Sequence, residues 1–469
     1  MELVPMSRLA REWRRAVVGT DREVPLLSGG WRQYANLDNA ATTPALVRVR
    51  EQVNVFLEWY SSVHRGTGFK SRLSTQVYEE ARKAVLRFVD ADADEHIAIF
   101  TKHTTEAINK LAFRFPLGPG DVVILSELEH HAVLLPWRNR ARIEYLPLDQ
   151  RGAIDFTALP DKLRQHAGKV RLVAISGASN VTGYTPPLDD VATMVHAFGA
   201  ELLVDAAQLA PHRQIHMRPL SDPRHIDYLV FSGHKIYAPY GTGVLIGPRA
   251  RFTAGEPDIR GGGAVKFVTL DAVEWDDPPE REEAGSPNVV GAVALATALT
   301  TLTDMDMALL EKREQHLSAY LLDRLATVPR LRLLGDLAGM GQDRVGLASF
   351  VLDGIHPQFV AAVLGHEWGI GVRAGCFCAH PYLLKLLQVS DAAAEDVRAA
   401  ILRGDRSQVP GAIRASLGLY SLEEDVDRLV DALRAVADGR VDGQYVLDAA
   451  TEEYEPVGYA DHLASAFHL

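Results

Sequence analysis

Cysteine is almost absent from this chain of 469 residues, which contains only Cys376 and Cys378. Two cysteines cannot form a disulfide framework, so a reducing cytosol is the expected compartment. Long apolar runs are also missing, and no segment is long enough to cross a bilayer. The N-terminus carries arginines but lacks the apolar core of a signal peptide. We therefore expect a cytoplasmic protein with no membrane partner.

Basic charge is in short supply as well. Lys and Arg number 49 against 61 Asp and Glu, which gives a net charge of −12 with histidine neutral. A chain this acidic does not hold nucleic acid through a general basic surface, so no nucleic-acid partner is expected. The apolar fraction of 47% and the charged fraction of 23% are those of a soluble globular protein. The length allows one large domain or two to three ordinary ones.

Apolar runs alternate with helical stretches over the first 290 residues, which predicts an α/β fold. The predicted strands are 96–101, 121–126, 171–176, 201–206, 227–232 and 243–248, and the predicted helices between them include 74–91, 105–115 and 189–200. Several of these strands end at or shortly before polar residues, namely Asn180, Asp205, Ser232, His234 and Lys235. Because ligands bind at the carboxyl ends of parallel strands, we expect these side chains to share one crevice.

Beyond about residue 290 the pattern changes to a second, smaller α+β domain. One long helix is predicted over 288–328, followed by strands at 331–336 and 346–354 and helices at 357–369, 391–402 and 421–438. The expected boundaries are an N-terminal extension (1–33) that packs on the small domain, a large domain (34–295), the small domain (296–442) and an acidic tail (443–469). The tail is weakly patterned, which is compatible with an ordered arm or with partial disorder.

Two ionisable residues at strand ends indicate cofactor chemistry. Lys235 lies in FSGHKIYAPYGTG, directly after a strand, where a lysine can form a Schiff base with a carbonyl or can be an ordinary loop residue. Asp205 closes an apolar run, and a carboxylate buried there needs a partner, either a helix end or a protonated pyridine nitrogen. A Schiff-base lysine with an acid at the ring nitrogen is the arrangement of pyridoxal phosphate enzymes.

Thr104 and Thr105 stand where a helix begins in KHTTEAIN. Hydroxyl groups and free N–H groups at a helix N-terminus bind phosphate, although a plain helix cap has the same sequence pattern.

The two cysteines leave several chemistries open. Zinc requires about four ligands in a structural site, whereas Cys376, Cys378 and His380 supply only three, so no metal site is expected. A disulfide between residues two apart would be strained. A single thiolate nucleophile fits better than either.

The chain resembles the class V aminotransferase-fold family of pyridoxal phosphate enzymes. Within that family it is most similar to the cysteine desulfurase and selenocysteine lyase group of the type II kind. The resemblance covers nearly the whole chain in family order and rests on the stretches NLDNAATTP (36–44), VHRGTGFKSRLSTQVYEEAR (63–82), FTKHTTEAIN (100–109), ELEHHAVLLPWR (127–138), SNVTGYTPPL (179–188), VDAAQ (204–208), FSGHKIYAPYGTGVL (231–245), EEAGSPN (282–288), GVRAGCFCAHP (371–381) and IRASLGLYSLEEDVDRLVDAL (413–433).

The resemblance implies an overall architecture and a set of partners. The fold would be the fold type I of pyridoxal phosphate-dependent transferases, with a mostly parallel seven-stranded sheet in the large domain and a smaller α+β C-terminal domain. The cofactor would be pyridoxal 5'-phosphate and the protein a homodimer. The substrate would be L-cysteine or a related amino acid, with a possible sulfur-acceptor protein.

The resemblance also implies a role for each matching residue. Lys235 would form the Schiff base and Asp205 would face the pyridine nitrogen. His130 would stack on the ring and move protons, with His131 as the competing candidate in the double histidine. The remaining cofactor contacts would be Asn180 and Gln208 near the ring hydroxyl, and Thr104, Thr105, Ser232 and His234 at the phosphate, joined by Ser286 from the other subunit.

Substrate recognition and sulfur chemistry are implied in the same way. Arg414 would bind the substrate carboxylate, a task suited to a planar bidentate donor, with Arg373 and Asn180 nearby. Cys378 would attack the sulfur of the bound cysteine, so that alanine is released and a persulfide remains on Cys378. Cys376, which the type II pattern does not predict, would be a bystander, a second sulfur acceptor or a resolving thiol, of which we favour the bystander.

The chain departs from the family between the cysteine segment and IRASL, where 382–412 is longer than usual. This insert is interpreted as a lid, a partner dock or a surface helix. Other reactions on the same fold also remain open, namely those of another C–S lyase, an aminotransferase or an epimerase acting on a specialised amino acid. A catalytically dead scaffold is a further alternative, against which the chain retains Lys235, Asp205, His130 and Arg414.

Overall fold

The computed structural model describes residues 6–341, 344–460 and 462–468. Its helices are α1 (Met6–Arg15), α2 (Val47–Leu57), α3 (Phe69–Phe88), α4 (Thr104–Arg114), α5 (His131–Leu134), α6 (Leu159–Gln165), α7 (Leu188–His196), α8 (Arg249–Thr253), α9 (Val289–Asp304), α10 (Met307–Leu325), α11 (Pro357–Trp368), α12 (His380–Leu386), α13 (Asp391–Leu402), α14 (Glu423–Ala437) and α15 (Leu463–Ala466). Short 3-10 turns cover Phe156–Ala158, Gly233–Lys235 and Glu280–Glu282.

The strands are β1 (Glu23–Pro25), β2 (Trp31–Gln33), β3 (Ala35–Asn36), β4 (His96–Thr101), β5 (Val122–Ser126), β6 (Arg142–Leu146), β7 (Val170–Ser176), β8 (Glu201–Asp205), β9 (Tyr228–Ser232), β10 (Gly243–Pro248), β11 (Val265–Val268), β12 (Val273–Trp275), β13 (Leu331–Leu333), β14 (Leu347–Leu352), β15 (Ile370–Gly371), β16 (Arg373–Gly375), β17 (Ala412–Ser416), β18 (Tyr445–Asp448) and β19 (Glu453–Pro456).

A seven-stranded sheet forms the centre of the molecule, in the order β4-β10-β9-β8-β7-β5-β6. Strands β6, β5, β7, β8 and β9 run parallel, and β10 pairs antiparallel with both β9 and β4. The mostly parallel seven-stranded sheet is therefore confirmed, as are the six predicted strands. The sequence reading missed β6, an edge strand with charged residues at Arg142 and Glu144 and only Leu146 fully buried.

Alternate residues of the central strands fill two separate cores. Ile124 and Val204 pack into the core on one face of the sheet, whereas Val123 and Leu203 pack into the core on the other. This alternation follows from the two-residue period of a strand. Because both faces are covered, the central strands are apolar almost throughout, which is why they were easy to predict.

A second sheet has the antiparallel order β13-β14-β17-β16.

The single long helix predicted over 288–328 is wrong, because the chain forms α9 and α10 with a bend of 78° between them. At the break Asp306 adopts φ +67°, and its side chain accepts hydrogen bonds from the N–H groups of Ala308 and Leu309. Among the described residues no single helix is long and apolar enough to cross a membrane. The bent pair of α9 and α10 together has the length and the apolar composition of a membrane span, but many of its side chains are buried inside the protein.

Both ends of the chain pack on the region around the second sheet. Arg14 of α1 forms an ion pair of 2.6 Å with Asp425 of α14, in agreement with the expected packing of the N-terminal segment. At the other end, β18 and β19 form a hairpin whose Tyr445 and Tyr454 rings pack edge-on against Phe359 of α11. Of the two possibilities left open for the tail, the ordered arm holds over its described residues. The domain boundaries themselves stay predictions.

Candidate active site

The polar strand ends meet in one cavity, as the sequence predicts. Ser176, Asp205 and Ser232 are the last residues of β7, β8 and β9, and Ser176 pairs directly with Asp205 in the sheet register. The cavity has a volume of about 870 Å³. It is lined by the predicted site residues Thr104, Thr105, His130, Asn180, Asp205, Gln208, Ser232, His234, Lys235, Arg373, Cys378 and Arg414. Ser286 is exposed and does not line the cavity of the single chain, so its contact with another subunit stays a prediction.

Lys235 and Asp205 form the charged floor of this cavity. Lys235 ends the 3-10 turn that follows β9, and burial lowers its pKa to about 8 although the Asp205 charge opposes the shift. Asp205 is almost fully buried, and burial raises its pKa. One of its oxygens accepts the Ala207 N–H at 2.9 Å. Within the described residues the Lys235 ammonium makes no hydrogen bond, so it is available to react with a ligand.

The start of α4 forms an anion-binding end of the cavity. Ser232 Oγ accepts the Thr104 N–H at 2.8 Å and lies 2.7 Å from the Thr104 hydroxyl. The cap of the helix is His103, whose Nδ1 accepts the Glu106 N–H at 3.1 Å, rather than a threonine as the plain-cap alternative supposed. Gly243 lets β10 approach this turn, because a Cβ there would lie 2.7 Å from the Cα of His103. Hydroxyl groups and the helix N-terminus together suit a phosphate.

His130, not His131, faces the cavity. Its Nδ1 accepts the Ala132 N–H at 3.0 Å, which leaves the proton of the neutral ring on Nε2. Burial lowers the pKa of His130 to about 4, and the Lys235 charge adds to the shift, so the ring is neutral near pH 7. His131 instead stacks on His380 at 5.1 Å and accepts the His380 backbone N–H through Nε2. The structure thus resolves the register of the double histidine.

Arg414 is held in place from several sides. It forms an ion pair with Asp38 at 3.3 Å, donates to the Asn180 carbonyl oxygen at 2.9 Å and lies 4.9 Å from the ring centre of Phe377. Burial lowers its pKa to about 10, and its Nε is buried without a hydrogen-bond partner in the described structure. Asp38 also binds Arg373 at 2.7 Å. An orientated guanidinium with an unused donor suits a carboxylate ligand.

The loop of the two cysteines is fixed through its backbone. Phe377 and Cys378 both adopt the left-handed conformation, with φ of +54° and +56°. The Asn180 side-chain amide donates to the Phe377 carbonyl oxygen at 2.6 Å, and the His131 N–H donates to that of Cys378 at 2.8 Å. These bonds offset the cost of two consecutive strained residues. Cys378 is exposed, whereas Cys376 is half-buried and burial raises its pKa.

Some contacts differ from the simplest expectation or were missed. The Asn180 amide nitrogen binds the cysteine loop, and the Gln208 amide nitrogen donates to the Ala40 carbonyl oxygen at 2.6 Å, so only their oxygen atoms remain for a ring hydroxyl. Asp38 was not singled out, although it lies within the quoted stretch NLDNAATTP. His103 was not predicted as the cap of α4 either, because the prediction named the neighbouring Thr104 and Thr105.

The side chains present fit the cofactor that the resemblance implies. A buried ammonium without a hydrogen bond, a buried carboxylate facing the same space and an anion-binding helix start are the three groups that pyridoxal phosphate requires. Lys235, Asp205 and Ser232 would be the main contacts.

Comparison with known proteins identifies the family of the chain. The chain is 37% identical over 406 residues to a probable cysteine desulfurase of Halalkalibacterium halodurans, covering 85% of this chain and 91% of that protein. It is 36% identical over 413 residues to a cysteine desulfurase of Dickeya dadantii, covering 86% and 92%. The crystal structure of a cysteine desulfurase from Escherichia coli superposes with a TM-score of 0.76 at 31% identity, covering 94% of this chain and all of that one. Residues 35–429 match the model of the aminotransferase class-V family, and the chain therefore belongs to that family.

Proposed function

We propose that this protein is a pyridoxal phosphate-dependent cysteine desulfurase. It converts L-cysteine to L-alanine and leaves a persulfide on Cys378, which passes to an acceptor. One observation carries the proposal: the exposed thiol of Cys378 lines the same cavity as Lys235 and Arg414. Relatives named cysteine desulfurase or probable cysteine desulfurase, at 32–37% identity over most of the chain, support it.

Each residue has a distinct task in this reaction. Pyridoxal phosphate, when bound, supplies the electron sink that allows the C–S bond to break. Lys235, with a pKa of about 8, is a sizeable fraction neutral near pH 8 and can act as a nucleophile toward a carbonyl. Asp205, which lines the same cavity, would serve the pyridine nitrogen of the cofactor. Arg414 binds the substrate carboxylate and so orients the sulfur toward the cysteine loop.

The sulfur step belongs to Cys378. Its thiolate attacks the sulfur of the bound cysteine, an S–S bond forms and the C–S bond breaks. The carbon that loses sulfur then takes up a proton. Two groups in the cavity can move that proton, Lys235 and His130. The neutral ring of His130 carries its own proton on Nε2.

The homodimer is also part of the proposal. Ser286 is exposed near α9, as a residue that serves another subunit must be. The hairpin of β11 and β12 carries four apolar side chains that are exposed in the single chain, Phe267, Val268, Leu270 and Val273. A contiguous exposed apolar surface of this kind marks an interaction site.

The test is the release of alanine and sulfide from L-cysteine by the purified, cofactor-loaded protein. We expect the wild type and Cys376→Ala to produce alanine over many turnovers, whereas Cys378→Ala loses at least about a hundredfold in rate because no other thiol there is exposed. If wild type holds the cofactor but leaves cysteine unchanged, the reaction is that of another C–S lyase, aminotransferase or epimerase, and Cys378 is a spectator.

A further inference from the structure

The cavity extends outward beyond the cysteine loop into a part that the family motifs do not include. We call this part the outer chamber; its wall is formed by Ile401, Arg406 and Val409 of the insert and by Glu452 of the tail hairpin. The insert and the tail are joined at this point, because the Arg406 N–H donates to the Ala449 carbonyl oxygen at 3.0 Å. Two segments that are distant in sequence thus cooperate to enclose space in front of Cys378.

The outer chamber carries one charge of each sign. Glu452 is half-buried on a left-handed residue with φ +66°, and burial raises its pKa to about 7 although the Arg406 charge opposes the shift. Glu452 lines the same cavity as Cys376 and Cys378 of the cysteine loop. Glu452 and Arg406 form no ion pair within 4.0 Å in the described structure. Both are therefore available to a ligand that lies between them.

A second, apolar space adjoins the outer chamber. A groove of about 420 Å³ lies between α12 and α13 and shares His380, Ile401 and Val409 with the main cavity. Its remaining wall includes Leu383, Leu384, Val397 and Leu402. The main cavity alone lies near the upper end of the range of about 300–1,000 Å³ in which proteins bind drug-sized ligands, and the groove adds to it. The additional volume suits a small molecule with an aliphatic part.

We propose that the outer chamber binds a small thiol that bears both an amino and a carboxylate group, and that this thiol takes the sulfur from Cys378. Glu452 receives the ammonium group and Arg406 the carboxylate, which places the sulfur of the ligand toward the cysteine loop. This inference rests on the proposed function, because Cys378 must first become a persulfide. It names the acceptor class that the proposed function leaves open.

The transfer step balances without an oxidant or a reductant. The thiolate of the ligand attacks the outer sulfur of the Cys378 persulfide, and a new S–S bond forms on the ligand. The S–S bond to Cys378 breaks and its electron pair stays on Cys378, which leaves as a thiolate. The ligand departs as a persulfide, and Cys378 is ready for the next turnover.

The test compares two acceptor thiols on the cofactor-loaded enzyme after its persulfide has formed with L-cysteine. Glutathione carries amino and carboxylate groups, whereas 2-mercaptoethanol is uncharged. For each protein we use intact mass spectrometry to follow the loss of the persulfide. The measured quantity is the rate with glutathione divided by the rate with 2-mercaptoethanol. Arg406→Ala and Glu452→Gln should each lower this ratio about tenfold, because each removes one of the two charges that would hold glutathione.

Matched controls come from the same segments. Arg403 and Glu453 are exposed and do not line the cavity, so Arg403→Ala and Glu453→Gln should keep the wild-type ratio. An unchanged ratio in both chamber variants, or an equal fall in the controls, overturns the inference. Removal of the persulfide by a cysteine-bearing acceptor protein alone, and by neither small thiol, overturns it too.

A second measurement separates this inference from the proposed function. S-methylglutathione cannot accept sulfur, and its binding to the loaded enzyme by calorimetry requires no persulfide. We expect saturable binding to wild type and to the two controls, with an affinity about tenfold lower in Arg406→Ala and Glu452→Gln. If wild type forms no persulfide but shows this pattern, the proposed function fails and the binding site stands. If no binding is detected, the site fails whatever the enzyme does with cysteine.

Discussion

Glu129 is buried directly below the candidate active site. Its carboxyl oxygens lie 2.5 Å from the Ser126 hydroxyl and 2.6 Å from the Ser176 hydroxyl, and Ser176 is the sheet neighbour of Asp205. Burial raises the pKa of Glu129 to about 8, and the Asp205 charge adds to the shift. Near pH 7 the carboxyl group is therefore protonated, which spares Asp205 a second negative charge at close range.

This shift predicts a pH dependence of stability that Glu129→Gln removes. In the unfolded chain the carboxyl group ionises near its ordinary pKa of 4.5, whereas in the folded protein it stays protonated to about pH 8. The folded state then binds more protons, so stability falls as pH rises through this window. We expect the melting temperature of the wild type to fall more steeply from about pH 5 to about pH 8 than that of Glu129→Gln. Parallel slopes for the two proteins would refute the assignment.

At the scale of single residues, the sequence revealed the groups whose local setting is unusual. Asp205 stands out because it is a charged residue at the end of an apolar run. Lys235 stands out because it is a charged residue in the turn that follows such a run. Asp38 holds Arg414 and Arg373, which are both more than 300 residues away and become its neighbours by folding. Phe377 packs on the Arg414 guanidinium. Such contacts leave no local pattern, and therefore a single sequence could not identify them.

At the scale of elements, the break between α9 and α10 shows that an apolar pattern alone does not predict where a helix ends. The residues on both sides favour helix, so periodicity alone predicts one element. The bend depends on Asp306, which combines a left-handed backbone with a side chain that caps the next helix at 3.0 Å from the Ala308 nitrogen. Capping of this kind is typical of Asp, but the sequence places many acidic residues inside helices as well.

We expect Asp306→Ala to lower the stability by about 2 kcal/mol, because it removes the cap and places a Cβ-bearing residue without side-chain hydrogen bonding in the left-handed region. Asp306→Gly tolerates the backbone conformation and loses little more than the cap, so it should be less destabilising. The measurement is the midpoint of urea denaturation followed by circular dichroism. A urea midpoint that is lower for Asp306→Gly than for Asp306→Ala would contradict this account.

At the scale of the whole molecule, the hairpin of β11 and β12 exposes several apolar side chains close together in sequence. Leu270 at its tip is fully exposed and Phe267 is 65% exposed. A second copy of the chain is the proposed cover. We expect Leu270→Asp to weaken or abolish the dimer, since it places a charge in the proposed interface.

Light scattering after size-exclusion chromatography measures this change in mass. Val446→Asp is the matched control, because Val446 is a similarly exposed apolar residue on the separate tail hairpin. It should leave the mass unchanged. A wild type that is monomeric at all concentrations, or a Leu270→Asp variant with the mass of the wild type, would show that the hairpin serves another purpose.

The two sheets contribute different halves of the site, and Asn180 is the residue that joins them. The seven-stranded sheet provides Asp205 and, directly after β9, Lys235, whereas the four-stranded sheet provides Arg414 and leads into the cysteine loop. Asn180 contacts the second half twice, through its carbonyl oxygen to Arg414 and through its amide to Phe377. Retention of the proposed cofactor and choice of the substrate would then depend on different sheets. A molecule whose two sheets moved apart would keep the half of the site with Lys235 and Asp205 and lose the half that would hold an amino acid.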